Sequence, residues 1–158
     1  MLEMINEERS LIILKPDALQ RGLVGEIFHR FERKGLKIIG LKMVQLEDLT
    51  LDEHYAHHKD KPFFTSLKRY MKSTPVALLV LSGIKAIQAI RLIVGPTRGY
   101  EADAGSVRGD FAMSGQSNIV HASDSAESAE QEIKRFFKPD ELFDYQKPDF
   151  PWLYSDSV

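Results

Sequence analysis

The chain has 158 residues, 43% of them hydrophobic and 28% charged, with a formal net charge of −2 and no cysteine. These figures suit one globular domain able to bury a substantial core, and they exclude disulfides, thiolate metal centres and thiol catalysis. They give no global attraction to nucleic acid or an anionic membrane, so phosphate binding would need a local cluster of basic side chains. The first residues lack the positive-then-apolar order of a signal peptide, and no apolar run is long enough to cross a bilayer. The expectation is a cytoplasmic enzyme or binding domain, spanning residues 1–158 as one unit.

Residues 1–8 read as a loose tail. Residues 10–14 are nearly all apolar, as in a central strand covered on both sides. Pro16 stops that strand because proline cannot donate to the ladder, and this leaves Lys15 at its end. Residues 22–34 read as a helix with Ile27, Phe28 and Phe31 inward and Gly35 at its end. Residues 36–46 read as a second strand with only moderate alternation. A helix is expected from Thr50, with Glu53 at the capping-box spacing, up to the break at Lys61-Pro62. Another helix covers residues 63–71, and residues 76–81 form a third, almost wholly apolar strand.

Residues 83–94 are expected to be helical, with Ile84, Ile87, Ile90 and Leu92 or Val94 inward. Residues 95–115 show no period and hold five glycines; a loop that long inside a compact domain is usually functional. Ile119 and Val120 suit a fourth strand, because branched Cβ atoms fit a pleated surface. Asp124 or Ser123 then caps a helix whose face is Ala126, Ala129, Ile133, Phe136 and Phe137. His121 thus lies at a strand end, just before a helix N-terminus that favours anions. The proline- and aromatic-rich remainder is expected to lie across the surface or against a neighbouring subunit. The order predicts a ferredoxin-like βαββαβ plan, an antiparallel four-stranded sheet with added helices and a long loop before the last strand.

Polar residues at strand ends and in the long loop are the candidates for chemistry: Lys15, Tyr55, Arg91, Thr97, Arg108, Asn118 and His121. Each alone has a plainer explanation, such as a solvated strand end, a core aromatic or a snorkelling arginine. There is no Walker loop and no dinucleotide fingerprint. His54, His57 and His58 fall at i, i+3 and i+4, but Glu53 precedes His54 rather than following it, so a charged helix face is the better reading and no protein metal site is expected.

Several segments together resemble the nucleoside diphosphate kinase family: Lys15-Pro16-Asp17, Arg21-Gly22-Leu23-Val24-Gly25-Glu26, His54-Tyr55, Lys61-Pro62-Phe63-Phe64, Arg108-Gly109-Asp110-Phe111 and residues 118–125. The resemblance spans residues 9–154, and Asn118-Ile119-Val120-His121-Ala122-Ser123-Asp124 is its most specific part. It implies that His121 is the phosphorylated residue of a two-step exchange from a nucleoside triphosphate, mainly ATP, to a diphosphate. It implies that Lys15, Arg91, Thr97, Arg108 and Asn118 hold phosphates and ribose, and that Tyr55 lies near the reacting phosphate. Phe63 would stack the base with Leu67 beside it, and Glu132 and Ser123 would orient the histidine ring. Mg²⁺ is implied on the substrate phosphates, with few or no protein ligands. Homo-oligomers are implied too, hexamers foremost and tetramers second, with no membrane and no specific nucleic acid as partner.

Rival readings are a nucleotide-sensing module that has lost catalysis and a donor of phosphate to other proteins. Three departures from the family stand out: Arg98-Gly99 where Asn-Pro is usual, Lys61 where arginine is usual, and Gly115 where an apolar residue is common. Because proline pre-sets φ, Gly99→Pro is expected to stabilise the loop.

Overall fold

The computed structural model describes residues 6–155. In chain order the elements are β1 (Glu8–Leu14), α1 (Pro16–Gln20), α2 (Val24–Arg33), β2 (Lys37–Val44), α3 (Asp48–His54), α4 (Phe64–Met71) and β3 (Val76–Gly83). There follow α5 (Ala86–Val94), α6 (Val107–Phe111), β4 (Val120–Ala122), α7 (Ala126–Phe136) and α8 (Phe150–Leu153). The strands form one sheet in the order β2-β3-β1-β4 with every pairing antiparallel, the ferredoxin-like arrangement that the element order predicts.

Alternation in the two central strands sends side chains into two separate cores. Ile12, Leu14, Leu79 and Leu81 face α2 and α5 and meet Ile27, Phe31, Ile90 and Val94. Leu11, Ile13, Leu78 and Val80 face the other way and meet Leu51, Leu67, Met71, Ile133 and Phe136 of α3, α4 and α7. Burying each large apolar side chain stabilises by about 1.5–3 kcal/mol, which is why β1 and β3 read as continuous apolar runs. A bulge between Ile38 and Gly40 in β2 turns Ile39 toward the second core, so the alternation there was only moderate.

Several local expectations are corrected. Strand β1 begins at Glu8, and residues 7 and 8 are not loose: Glu7 accepts from Ser82 Oγ at 2.6 Å, and Glu8 accepts from the Ile87 N–H at 3.0 Å. Residues 1–5 lie outside the described residues. Helix α3 starts at Asp48, not Thr50, where the Asp48 carboxylate pairs with Lys68 of α4 and with Lys72 just past its end. Helix α5 starts three residues late because Gly83 still pairs with Glu8 and Lys85 sits at φ 57°, and Leu92 is exposed. Ser125, not Asp124 or Ser123, caps α7 by accepting from the Ser128 N–H at 3.1 Å. Ala126 is exposed, and Glu132 takes an inward position.

Within the long loop, Gly99 packs so tightly that a Cβ there would lie 2.1 Å from the Ala112 carbonyl oxygen, and its N–H faces Ser114 O at 3.4 Å. Gly99→Pro therefore cannot stabilise this loop: it would collide with backbone and remove a donor. Gly99→Pro and Gly99→Ala should each lower stability by about 1–3 kcal/mol, the usual scale for overpacking. A thermal melt at fixed protein concentration checks this, and an unchanged or raised midpoint for Gly99→Ala would refute the packing.

Candidate active site

A cleft of about 880 Å³ opens at the end of the sheet where the two helical layers meet. Lys15 just beyond β1, the end of α5, helix α6 and strand β4 supply one wall; α3, α4 and α7 supply the other. His121, Lys15, Tyr55, Phe63, Leu67, Arg91, Thr97, Arg108, Asn118 and Glu132 all line it, so residues scattered over the sequence converge. Ser123 does not: it is fully buried, accepts from the Leu11 N–H at 3.0 Å, and ties β4 to β1. Its hydrogen bonds go to Leu11, and among the described residues none reaches the His121 ring.

His121 pairs with Ile13 across β1 and so projects toward α3 and α7. Its Nε2 hydrogen-bonds to Glu132 Oε2 on α7. A carboxylate can only accept, so Nε2 carries the proton and Nδ1 keeps the lone pair. Edge-on to this ring, at a centroid distance of 4.8 Å, lies His54. His54 is buried, accepts from Arg135 Nη1 at 3.3 Å through Nδ1, and burial together with His121 pushes its pKa down to about 2. It is therefore a neutral wall beside Glu132, not part of a solvated charged face. The ligand atoms of His54, His121 and Glu132 lie within 4.8 Å of one another, but the Arg135 cation beside His54 opposes a metal there. The signal for His54 was in its spacing: it follows buried Leu51 by three residues, on the inward stripe of α3.

Opposite stand the cations. Lys15 Nζ is nearly buried and donates to Asn118 Oδ1 at 2.6 Å. Burial, and then the charge of Arg108, lowers its pKa to about 7, with Asp17 opposing. Arg108 is fixed by three backbone carbonyls, those of Gly95 at 2.9 Å, Asn118 at 3.2 Å and Val120. Two of the five guanidinium N–H groups remain for a ligand. Burial and then Arg91 push its pKa down to about 10. Helix α6 can carry Arg108 only because residue 109 is glycine: a Cβ there would stand 1.9 Å from Asp103 O.

Asn118 spends its amide on Lys15, Thr97 O at 2.8 Å and Gly115 O at 3.0 Å, tying the long loop to the cleft. Tyr55 is buried with its hydroxyl unpartnered among the described residues, a state that favours a ligand acceptor. Phe63 is 44% exposed at the mouth, edge-on to His58, with Leu67 buried behind it. Arg91 and Thr97 stand exposed on the rim. Uncompensated cations, an unsatisfied phenol and an exposed aromatic make a site for a polyanion that carries a flat ring.

A family model described as nucleoside diphosphate kinase matches residues 8–142. A protein named nucleoside diphosphate kinase from Parabacteroides distasonis is 53% identical over 149 residues, covering 94% of this chain and 97% of that one. Nucleoside diphosphate kinase A of Rattus norvegicus is 46% identical over 96% of this chain and 99% of its own length. Among solved structures, a halophilic nucleoside diphosphate kinase from Halobacterium salinarum in complex with CDP superposes with a TM-score of 0.92 at 39% identity, over 95% of this chain and all of that one. A member of the same family from Babesia bovis gives 0.89 at 44% identity, over 93% and 99%.

The lowered pKa of Lys15 has a measurable sign. At pH 8 the free cleft holds Lys15 mostly neutral, whereas a bound polyphosphate favours the charged form and raises the pKa. Binding of ADP at pH 8 should take up roughly one proton, seen as a dependence of calorimetric heat on buffer ionisation enthalpy. Lys15→Met should abolish the uptake. An uptake that persists in Lys15→Met would assign the proton elsewhere.

Proposed function

The chain belongs to the nucleoside diphosphate kinase family, and from that premise we propose that His121 is the residue through which it passes the phosphoryl group. The observation that carries this reading is the His121 ring held at Nε2 by Glu132, which leaves Nδ1 as the nucleophile in a cleft of cations. Nδ1 attacks the γ-phosphorus of a nucleoside triphosphate. The N–P bond forms as the bond to the β–γ bridging oxygen breaks, and the diphosphate leaves with that electron pair. An acceptor diphosphate then attacks with a terminal β-phosphate oxygen; the P–O bond forms and the electron pair of the N–P bond returns to Nδ1. Glu132 holds the Nε2 proton in both steps.

Charge on the transferring oxygens is met by Lys15, held by the Asn118 side chain, and by Arg108, held by backbone carbonyls, with Arg91 and Tyr55 at the rim and wall. Removing one preorganised donor of this kind typically costs about 10²–10³ in rate. Phe63 offers a π-face that does not read base edges, so every common base would be accepted, while ATP as the main donor is what the family resemblance implies.

The donor set fits a magnesium ion that arrives on the nucleotide. Glu132 is held by His121, Glu53 lies 3.7 Å from Arg135, and Asp124 is hydrogen-bonded to Ser128 and Ser125, so among the described residues no carboxylate lining the cleft is left without a partner. When carried in on the nucleotide, Mg²⁺ would neutralise charge on the phosphates. The substrates themselves support a cytoplasmic setting. No helix among the described residues is long and apolar enough to cross a membrane.

Incubation with γ-labelled ATP should give an acid-labile label on the protein that ADP, GDP, CDP and UDP each release. His121→Gln should keep the fold and lose both the label and the exchange. Label retained by that variant would refute the reading.

Assembly into a homo-oligomer, a hexamer first and a tetramer second, is part of the same proposal. It is supported by Leu41 and Met43, which stand exposed on edge strand β2. Sedimentation at micromolar concentration should give the mass of the oligomer, and a monomer would overturn this part.

A further inference from the structure

Ile119 was expected to extend the fourth strand, and it does not. It sits at φ 75°, a left-handed conformation that is an outlier for a β-branched residue. The Val120 N–H donates to Asn118 O at 2.8 Å, closing a γ-turn of the strained positive-φ kind around Ile119. The turn resets side-chain alternation. Along an extended strand residues 118 and 121, three apart, would point to opposite faces. Here Asn118 and His121 both line the cleft, while adjacent Ile119 and Val120 both enter the same core.

What holds the turn comes from Lys15, between β1 and α1, and from Asp17 of α1. The Ile119 carbonyl accepts from the Lys15 N–H at 2.8 Å, and the Ile119 N–H donates to Asp17 Oδ2 at 3.1 Å. The other Asp17 oxygen accepts from the Tyr70 hydroxyl of α4 and from the Ala18 N–H at 3.2 Å. Asp17 is thus fixed from a third element and presents one oxygen to a backbone N–H that no strand partner serves.

We propose that Asp17 is a positioning residue for the phosphoryl transfer: its carboxylate clamps Ile119 in the γ-turn that brings Asn118 and His121 to one cleft, and Tyr70 holds the carboxylate in place. The inference rests on the reading of His121 as the nucleophile. Asp17 acts on the reaction through backbone geometry and touches no substrate. A glycine at position 119 adopts positive φ without a clamp, so the need for Asp17 should vanish with the Ile119 side chain.

The test is a double-mutant cycle of Asp17→Ala and Ile119→Gly. It is read by the single-turnover rate of label transfer from γ-labelled ATP and, independently, by the thermal midpoint. Asp17→Ala should slow labelling at least tenfold in the otherwise native chain and less than threefold in the I119G background, and should lower the midpoint more in the first than in the second. The cavity left by Ile119→Gly enters both arms and cancels. Asp17→Asn keeps an acceptor oxygen and should label within threefold of the native chain.

Equal losses in the two backgrounds, or no loss in either, would overturn the proposal. If Asp17→Ala does not fold, Tyr70→Phe replaces it: a loss confined to the native background supports the clamp, and an equal loss in both refutes it. If the native chain takes no label, the reading of His121 fails, and the thermal cycle still decides the clamp.

Discussion

A histidine that attacks through one ring nitrogen needs the other one held, and the rest of the architecture follows from where that hold comes from. Glu132 reaches His121 from α7, on the second face of the sheet, whereas Arg91 and Arg108 arrive from α5 and α6 on the first. A sheet covered on one face could supply the carboxylate that holds His121 or the cleft's cations, but not both around one cleft. The two cores exist because β1 and β3 are apolar on both faces, so the residue pattern of two strands determines that the cleft has two chemically different walls.

The charge arrangement is costly to the empty protein. Lys15 has its pKa lowered to about 7 from an unfolded value of 10.5, so between those limits the unfolded chain binds a proton that the folded one does not. By linkage, folding stability from this group rises with pH across that window, and the penalty is fully present below it. Arg108, pushed to about 10 by burial and by Arg91, adds to the same tension. A bound polyphosphate relieves it. The cleft is therefore poised for its ligand by the same burial that disfavours it when empty, and tight backbone anchoring keeps Arg108 from swinging out to solvent.

How much of this the sequence revealed depends on the range of each interaction. The double-faced strands β1 and β3 and the inward residues Ile27, Phe31, Ile90 and Ile133 were legible because they follow from periodicity. The convergence of Lys15, Tyr55, Arg108 and His121 was legible only through resemblance, since no local pattern relates residues so far apart. Capping was legible to within a residue or two: Ser125, one residue past Asp124, has the extended backbone and the side-chain oxygen that accepts from the Ser128 N–H. His54 was misjudged because three nearby histidines suggested a solvated face. Gly99 was misjudged because proline's entropic benefit says nothing of the Ala112 carbonyl beside it.

Ile119 marks the deepest limit of local reasoning. Its β-branched side chain favours a strand, and it is fully buried, so apolar content and propensity both argued for extension. Holding such a residue at positive φ costs about 1–3 kcal/mol, and the compensation comes from partners 102 and 53 residues apart in the pairs Asp17–Ile119 and Asp17–Tyr70. Glycine would remove the strain but also the anchor, because the Ile119 side chain fills the first core beside Leu14 and Val120. An isoleucine there couples the turn to the packing. The backbone between Asn118 and His121 can relax only if a buried side chain leaves the core or a buried N–H leaves its carboxylate. The backbone that carries His121 is in this way tied to the core of the protein and to one acidic side chain outside the cleft.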